Sequence, residues 1–185
     1  MLRKSRPQWI TYQDAFEIDN KIYLRGVTSI DPEWIVNLCP SMCNFNKPLK
    51  DPPPYFDEET GVVKCYVKAT YGRQGWELPV TSMEHPASAE KFRLFAQFLL
   101  DGDVVGTFSK WRPHLLLLPS TMTKSWAKLQ PRTQSLLQTL VAAQVDSRDS
   151  LLAAWEKDDE FLLTEYLEWV PERLHSDVKS SWPPV

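Results

Sequence analysis

The hydrophobic pattern changes period about halfway along the chain. Over residues 9–18, Ile10, Tyr12, Phe16 and Ile18 fall on one face at every second position, broken only by Asp14. Residues 21–27 form a second short strand, and Asp19-Asn20 between them tolerate the positive φ that a two-residue hairpin turn demands. Asp31-Pro32-Glu33 then opens a helix of about two turns: Asp caps, Pro suits the first helical position, and Glu complements the dipole. Pro40 forces its exit. Residues 46–56 read as a linker stiffened by Pro48, Pro52, Pro53 and Pro54. Beyond it, the β-branched and aromatic run 62–71 and the similar run 76–83 flank Gly-Arg-Gln-Gly at 72–75, which predicts a second hairpin over 61–83.

From Ser88 onward the period becomes helical. Phe92, Phe95, Ala96 and Leu99 share a face, and Gly102 marks a stop. Further helices are expected at 120–129 (Ser120 capping; Met122, Trp126 and Leu129 inward), 131–144, 147–157 (Ser147 capping), 159–169 and 175–182. Two hairpins followed by a helical half argue for an α+β fold, or a helical domain with a β annex, rather than a wound parallel sheet.

Composition narrows the class. With 185 residues, 43% of them hydrophobic, the chain is long enough for one large domain or two small ones, and global disorder, collagen-like and disulfide-scaffold classes are out. Apolar runs such as residues 115–118 are far short of the roughly 18–20 residues of a membrane span. The basic N-terminal residues are not followed by the apolar stretch of a secretory signal, so an intracellular chain is expected. Cys39, Cys43 and Cys65 are odd in number and lack a Cys-x-x-Cys pair. With His85, His114 and His175 scattered, they read as reduced thiols rather than a zinc site.

The net charge of −3 conceals a partition: residues 1–50, 51–103, 104–145 and 146–185 carry +2, −4, +5 and −6. The third block has no carboxylate at all. Lys110, Arg112, Lys124, Lys128 and Arg132 either pair with the acidic helices that follow, or form a face for a phosphate backbone or an acidic peptide. On a helix over 120–129, Lys124 and Lys128 would share one face, with Arg132 extending it beyond Pro131.

Catalytic signatures are missing. The sequence holds no Gly-x-x-x-x-Gly-Lys-[Ser/Thr], no Gly-x-Gly-x-x-Gly and no Gly-x-Ser-x-Gly. The carboxylate run 156–160 reads as a solvated helix junction, with Asp158 or Asp159 capping, rather than a paired-acid site. No catalytic, cofactor or metal-ligating residue is assigned, and the chain by itself is not expected to be an enzyme.

Two sets of residues carry a resemblance. Trp9-Ile10-x-Tyr12, then Tyr23-Leu24-Arg25, Pro32-Glu33-Trp34-Ile35 and Pro40 resemble the end of the oligonucleotide/oligosaccharide-binding (OB) fold of DEAH-box RNA helicases, where a hairpin with Tyr-hydrophobic-Arg precedes a helix with Pro-x-Trp-hydrophobic. Trp126-Ala127-Lys128-Leu129-Gln130-Pro131-Arg132-Thr133, Leu151-Leu152-Ala153-Ala154-Trp155, Tyr166-x-Glu168-Trp169 and Trp182-Pro183-Pro184 resemble the C-terminal extension of the nucleolar, Kurz-type members. Cys65, Trp76-x-Leu78-Pro79 and Phe95-Ala96-x-Phe98-Leu99-Leu100 fit the same group.

The resemblance implies residues 1–45 as the last hairpin and helix of an OB fold, 46–56 as linker and 57–185 as a family-specific domain. It implies a parent that uses ATP and magnesium, remodels pre-ribosomal RNA in the nucleolus, and releases a box C/D small nucleolar RNA during small-subunit assembly. The motor domains and the first OB strands are not in this sequence, so it is expected to be a fragment that begins inside the fold. Two roles are then open. One is an interaction module that docks on the helicase core in cis and contacts a processome coactivator, its Trp residues serving partly as hot spots. The other is an RNA-binding module using Lys21 and Arg25 of the hairpin with the basic residues 110–132. At least five of the eight Trp are expected to be mostly buried.

Overall fold

The computed structural model describes residues 6–185, and the basic residues 1–5 lie outside them. In chain order the elements begin with four short strands, β1 (Ile10–Thr11), β2 (Asp14–Ile18), β3 (Lys21–Arg25) and β4 (Thr28–Ser29). Helix α1 (Pro32–Leu38) and strands β5 (Cys43–Phe45), β6 (Tyr55–Asp57), β7 (Val62–Val67), β8 (Ala69–Tyr71), β9 (Trp76–Glu77) and β10 (Thr81–Glu84) follow. The remainder is helical: α2 (Ala89–Asp101), α3 (Pro131–Ala142), α4 (Arg148–Lys157), α5 (Leu163–Leu167) and α6 (His175–Ser180), joined by 3₁₀ turns. This is the expected α+β class. The chain forms two compact units, one of residues up to 49 with 66–82, the other of 50–65 with 83–185.

In the first unit, β2 and β3 pair antiparallel with Ile18 opposite Lys21 and Phe16 opposite Tyr23. Asp19 (φ 50°) and Asn20 (φ 58°) supply the left-handed turn, whose twist matches that of the strands. Asp31 Oδ1 accepts from the Glu33 amide at 3.0 Å, Pro32 takes the first helical position, and α1 ends before Pro40, as the sequence predicts. Ile35 and Val36 of α1 pack with Ala69 and Leu78, flanked by Phe45 and Tyr71 of the β5–β8–β9 sheet.

The second hairpin turns where expected, at Gly72 and Gly75, both with positive φ. Its arms, however, divide. β8 pairs with β5 and β9, whereas β7 pairs with β6 and β10. A period-two pattern states which face is buried, not which strand lies alongside, so the change of partner was invisible in it. The linker also ends early: Tyr55–Asp57 are strand, with Phe56 opposite Val63, because these aromatics have an apolar face to bury.

The second unit holds the larger core. Helix α2 starts on Ser88, whose hydroxyl accepts from the Lys91 amide at 3.2 Å, and stops at Gly102 (φ 90°). A Cβ at Gly102 would lie 2.5 Å from the Ser109 amide nitrogen, so no other residue fits there without displacing the next turn. Phe95, Leu99 and Leu100 of α2 pack with Leu136, Leu137 and Leu140 of α3 and with Leu151 and Trp155 of α4. Fully burying each such side chain contributes about 1.5–3 kcal/mol. Phe108 sits at the centre of the aromatic residues, its ring 4.7 Å from Tyr166, 5.7 Å from Trp182 and 6.0 Å from Trp111. Helix α4 is capped reciprocally by Ser147 and Ser150.

Several helical expectations are corrected. Residues 120–129 are two 3₁₀ turns, Pro119–Thr123 and Trp126–Lys128, instead of one helix, and Ser120 caps nothing. The cause is local: the Thr121 hydroxyl donates to the Leu118 carbonyl at 2.7 Å and the Thr123 hydroxyl to the Ser120 carbonyl at 3.0 Å, which competes with helical bonding. Met122 and Leu129 are buried as expected, but Trp126 faces outward at 43% exposure. The helix expected over 159–169 is reduced to α5, because Leu162 is buried in a left-handed conformation (φ 64°) that an α-helix does not contain. Asp158 does cap the turn before it, accepting from the Glu160 amide at 3.1 Å. Of the Trp residues, Trp111, Trp155 and Trp169 are buried, Trp9 and Trp182 are half-buried, and Trp34, Trp76 and Trp126 are exposed.

Candidate nucleic-acid or partner interface

The seven basic residues singled out in the sequence are distributed over both units: Lys21 and Arg25 in the first, the other five in the second. Lys21 and Arg25 are the two ends of β3, four residues apart and therefore on one face of the hairpin. Between them on that face, Phe16 and Tyr23 stack with ring centres 5.9 Å apart and planes at 15°. Asp14 stands opposite Arg25 in the register. The other face carries Ile22 and Leu24, at 75% and 39% exposure. Within the described unit both faces of the hairpin thus leave apolar side chains open to solvent among charged ones.

In the second unit, two of the five basic residues are engaged by the protein itself. Arg112 Nε donates to Asp101 Oδ1 at 2.7 Å, and Arg132 Nη1 donates to the Glu168 carbonyl at 2.9 Å. Lys110 stands with Nζ 5.7 Å from the centre of the Trp111 ring, a cation–π contact. Intramolecular use of positive charge therefore reaches Arg112 and Arg132, though through Asp101 of the preceding helix α2 and a backbone carbonyl rather than through carboxylates of the acidic helices that follow. It does not extend to Lys124 and Lys128, which are exposed and line a cavity of about 50 Å³ together with Thr121, Gln130 and Thr133. Lys124 ends one 3₁₀ turn and Lys128 is the last residue of the next, rather than both sharing a helix face, which corrects the expected geometry. Arg93 of α2 joins them, its Nη1 donating to the Lys124 carbonyl at 3.2 Å. The sequence did not single out Arg93, because only the packing of α2 against residues 119–124 brings it there.

Other clusters are structural. Lys91 is buried between Glu84 and Asp146, each 2.8 Å from Nζ. Burial opposes its charge, but the bonds to Asp146 and Glu84 outweigh that and hold the ammonium above the usual lysine range. The Cys65 thiol is pushed up by burial first and by the neighbouring Glu90 charge second, away from the reactive thiolate. A larger cavity, about 600 Å³, is an open groove of Pro113, Leu115, Leu117, Leu118 and Pro119 beside the Arg112–Asp101 pair. Among the described residues, no group of three or more His, Cys, Asp or Glu is placed to hold a metal ion, and no helix is long and apolar enough to cross a membrane.

Comparison of the sequence with known proteins finds relatives among the DEAH-box RNA helicases. Residues 107–185 match the family model described as the DEAH helicase DHX37 C-terminal domain. Over 185 residues, the whole chain, it is 43% identical to the human protein named probable ATP-dependent RNA helicase DHX37. It is 36% identical over 189 aligned residues to the Drosophila melanogaster probable ATP-dependent RNA helicase kurz. With the Caenorhabditis elegans putative ATP-dependent RNA helicase rha-2 the identity is 41% over 179 residues, 97% of the chain. The chain spans about 16% of the length of each of these relatives. These matches define the class as that of the DEAH-box RNA helicases, with residues 107–185 matching a C-terminal domain of that class. Within that class the chain belongs to the DHX37 and Kurz family.

Proposed function

We propose that the chain serves a parent ATP- and magnesium-dependent RNA helicase as its C-terminal docking and regulatory region. The observation that carries this is the hairpin β2–β3, whose two faces present Phe16, Tyr23, Ile22 and Leu24 to solvent in the isolated chain. Two strands alone are at best marginally stable, and open strand edges are ordinarily covered. The occupant is the rest of the helicase in cis, with β2, β3 and α1 as the closing part of an OB fold. The resemblance to Kurz-type helicases supports the rest of the reading. The parent acts on pre-ribosomal RNA in the nucleolus, releases a box C/D small nucleolar RNA during small-subunit assembly, and is stimulated by a coactivator that this region contacts.

Deleting everything after residue 49 is a poor test, because β5 would lose its partner β8. The better test is the full-length helicase with Ile22→Asp and Leu24→Asp, assayed for RNA-stimulated ATP turnover with and without the coactivator. A fall in stimulated turnover is expected, and unchanged stimulation contradicts the docking role. Direct RNA contact is the second reading, favoured by the exposed Lys124 and Lys128 beside their cavity.

A further inference from the structure

The open groove of about 600 Å³ lies wholly within the second unit, and its apolar wall is Pro113, Leu115, Leu117, Leu118 and Pro119. That volume falls within the roughly 300–1,000 Å³ typical of ligand sites. The wall is fixed from both ends. The Leu116 amide donates to the Trp169 carbonyl at 2.8 Å, and the Leu118 carbonyl accepts from the Thr121 amide at 3.0 Å and the Thr121 hydroxyl at 2.7 Å. Trp169 and Trp111 are themselves buried in the core. A groove that stands ready before its occupant arrives saves the cost of ordering it on binding.

The second unit exposes few large apolar side chains. Among its described residues they are Leu116, Leu118, Trp126, Val141 and Val185, and two of these five stand together on the groove segment, at 53% and 72% exposure. Leucines left open beside a formed groove mark a docking surface. Among the described residues no aromatic ring lines the groove, so it lacks the stacking platform of a nucleobase site and suits a peptide instead.

The polar end of the groove sets the charge of that peptide. Arg112 Nε donates to Asp101 Oδ1 at 2.7 Å, and the arginine side chain is 59% exposed against 16% for the aspartate. A guanidinium has five N–H donors, and among the described residues those on Nη1 and Nη2 of Arg112 make no hydrogen bond. The carboxylate is covered and the fork is open, so an incoming group meets the arginine. Asp103 also feels the Arg112 charge but lines no part of the groove. Lys110 and His114 flank Arg112 in the chain, both exposed, and no carboxylate occurs in residues 104–145. Such a rim accepts a carboxylate and disfavours a basic segment.

We propose that this groove seats an acidic, leucine-bearing segment of the helicase's coactivator, with apolar side chains against Leu115, Leu117 and Leu118 and a carboxylate on the outer N–H groups of Arg112. This rests on the reading that a coactivator contacts this region, and it gives that contact a place separate from the hairpin that serves the helicase in cis.

The test is the affinity of the full-length helicase for its coactivator, read by calorimetry over a salt series. Leu118→Asp should weaken binding at least about tenfold, and because Leu118 is already 72% exposed it should leave the unfolding midpoint of the 185-residue chain in place. Arg112→Gln should weaken binding several-fold and reduce its salt dependence. A photoreactive benzophenone side chain at position 118 should crosslink to a coactivator segment that carries both leucine and Asp or Glu. The proposal is overturned if Leu118→Asp binds the coactivator as tightly as the unmutated helicase does, or if the crosslink falls on a basic segment or on RNA. It is equally overturned if Ile22→Asp with Leu24→Asp, and not Leu118→Asp, abolishes binding. A coactivator that binds the unmutated helicase and Leu118→Asp alike sinks the groove alone, whereas one that binds neither sinks the coactivator reading with it.

Discussion

Arg148 holds its guanidinium 5.2 Å from the centre of the Phe56 ring. The same group donates through Nε to the Val104 carbonyl at 2.8 Å and through Nη1 to the Glu58 carbonyl at 2.7 Å, so one side chain ties the start of α4 to the β6–β7 hairpin and to the end of α2. Arg148→Ala should lower the unfolding free energy by about 2–3 kcal/mol, because a cation–π contact and two charge-assisted bonds of a partly exposed side chain are lost together. Arg148→Lys should recover less than half, because an ammonium cannot stack and fork at once. Chemical denaturation of the three chains checks both numbers, and equal midpoints for Arg and Lys would show that only charge matters.

Lys91 makes a prediction about alkaline pH. Its pKa is raised above the ordinary 10.5, because the bonds to Asp146 and Glu84 outweigh burial. A raised lysine pKa contributes stability that is complete below 10.5 and is lost as pH rises through the folded value. Lys91→Met should therefore cost about 1–3 kcal/mol at neutral pH, where it strands two partly exposed carboxylates. It should also remove part of the alkaline loss of stability. A mutant that loses stability at high pH as steeply as the unmutated chain would exclude Lys91 as the responsible group.

Asp57 predicts the acid side. Its carboxyl accepts from Lys64 and from the Thr60 hydroxyl, and these bonds, the Lys64 one largest, hold its pKa below the usual 3.8. The contribution is present above 3.8 and lost as pH falls through the lower folded value. Asp57→Asn should leave a chain whose stability is less pH-dependent below 3.8. Thermal melts across an acid series give the comparison, and parallel curves for both chains would rule the pair out.

The β2–β3 turn offers a local test. Asn20 has φ 58°, which costs an ordinary residue about 1–2 kcal/mol. Asn20→Gly should therefore be tolerated and Asn20→Val should broaden the hairpin's amide resonances, with the second unit unchanged. Sharp, unshifted β2 and β3 resonances in the valine variant would mean that the turn does not control the hairpin.

Features set by chemistry within a few residues were legible in the chain. Ser88, Ser147, Asp31-Pro32 and Asp19-Asn20 each fix a boundary through a cap or a turn, and each stands where the pattern puts it. The pairing of Phe45 with Ala69 was not legible, because the partner lies across the Pro-rich segment and period-two alternation is silent about it. Residues 120–129 misled for a different reason: Met122 and Leu129 have helical spacing, but the threonine hydroxyls bond their own backbone and tighten the turns. For the candidate site, Lys124, Lys128 and Arg132 were visible as an acid-free stretch. That Arg132 is spent on the Glu168 carbonyl, and that Arg93 stands beside Lys124, follows only from tertiary packing.

The central claim is that the exposed hairpin belongs against the rest of a helicase. Amide hydrogen exchange of Lys21–Arg25, compared between this chain and the full-length helicase that carries it, tests that most directly. Docking predicts that the β3 amides exchange at least about a hundredfold more slowly in the full-length protein, while those of α2 and α3, already in a closed core, change little. Equal exchange of β3 in both contexts would contradict it.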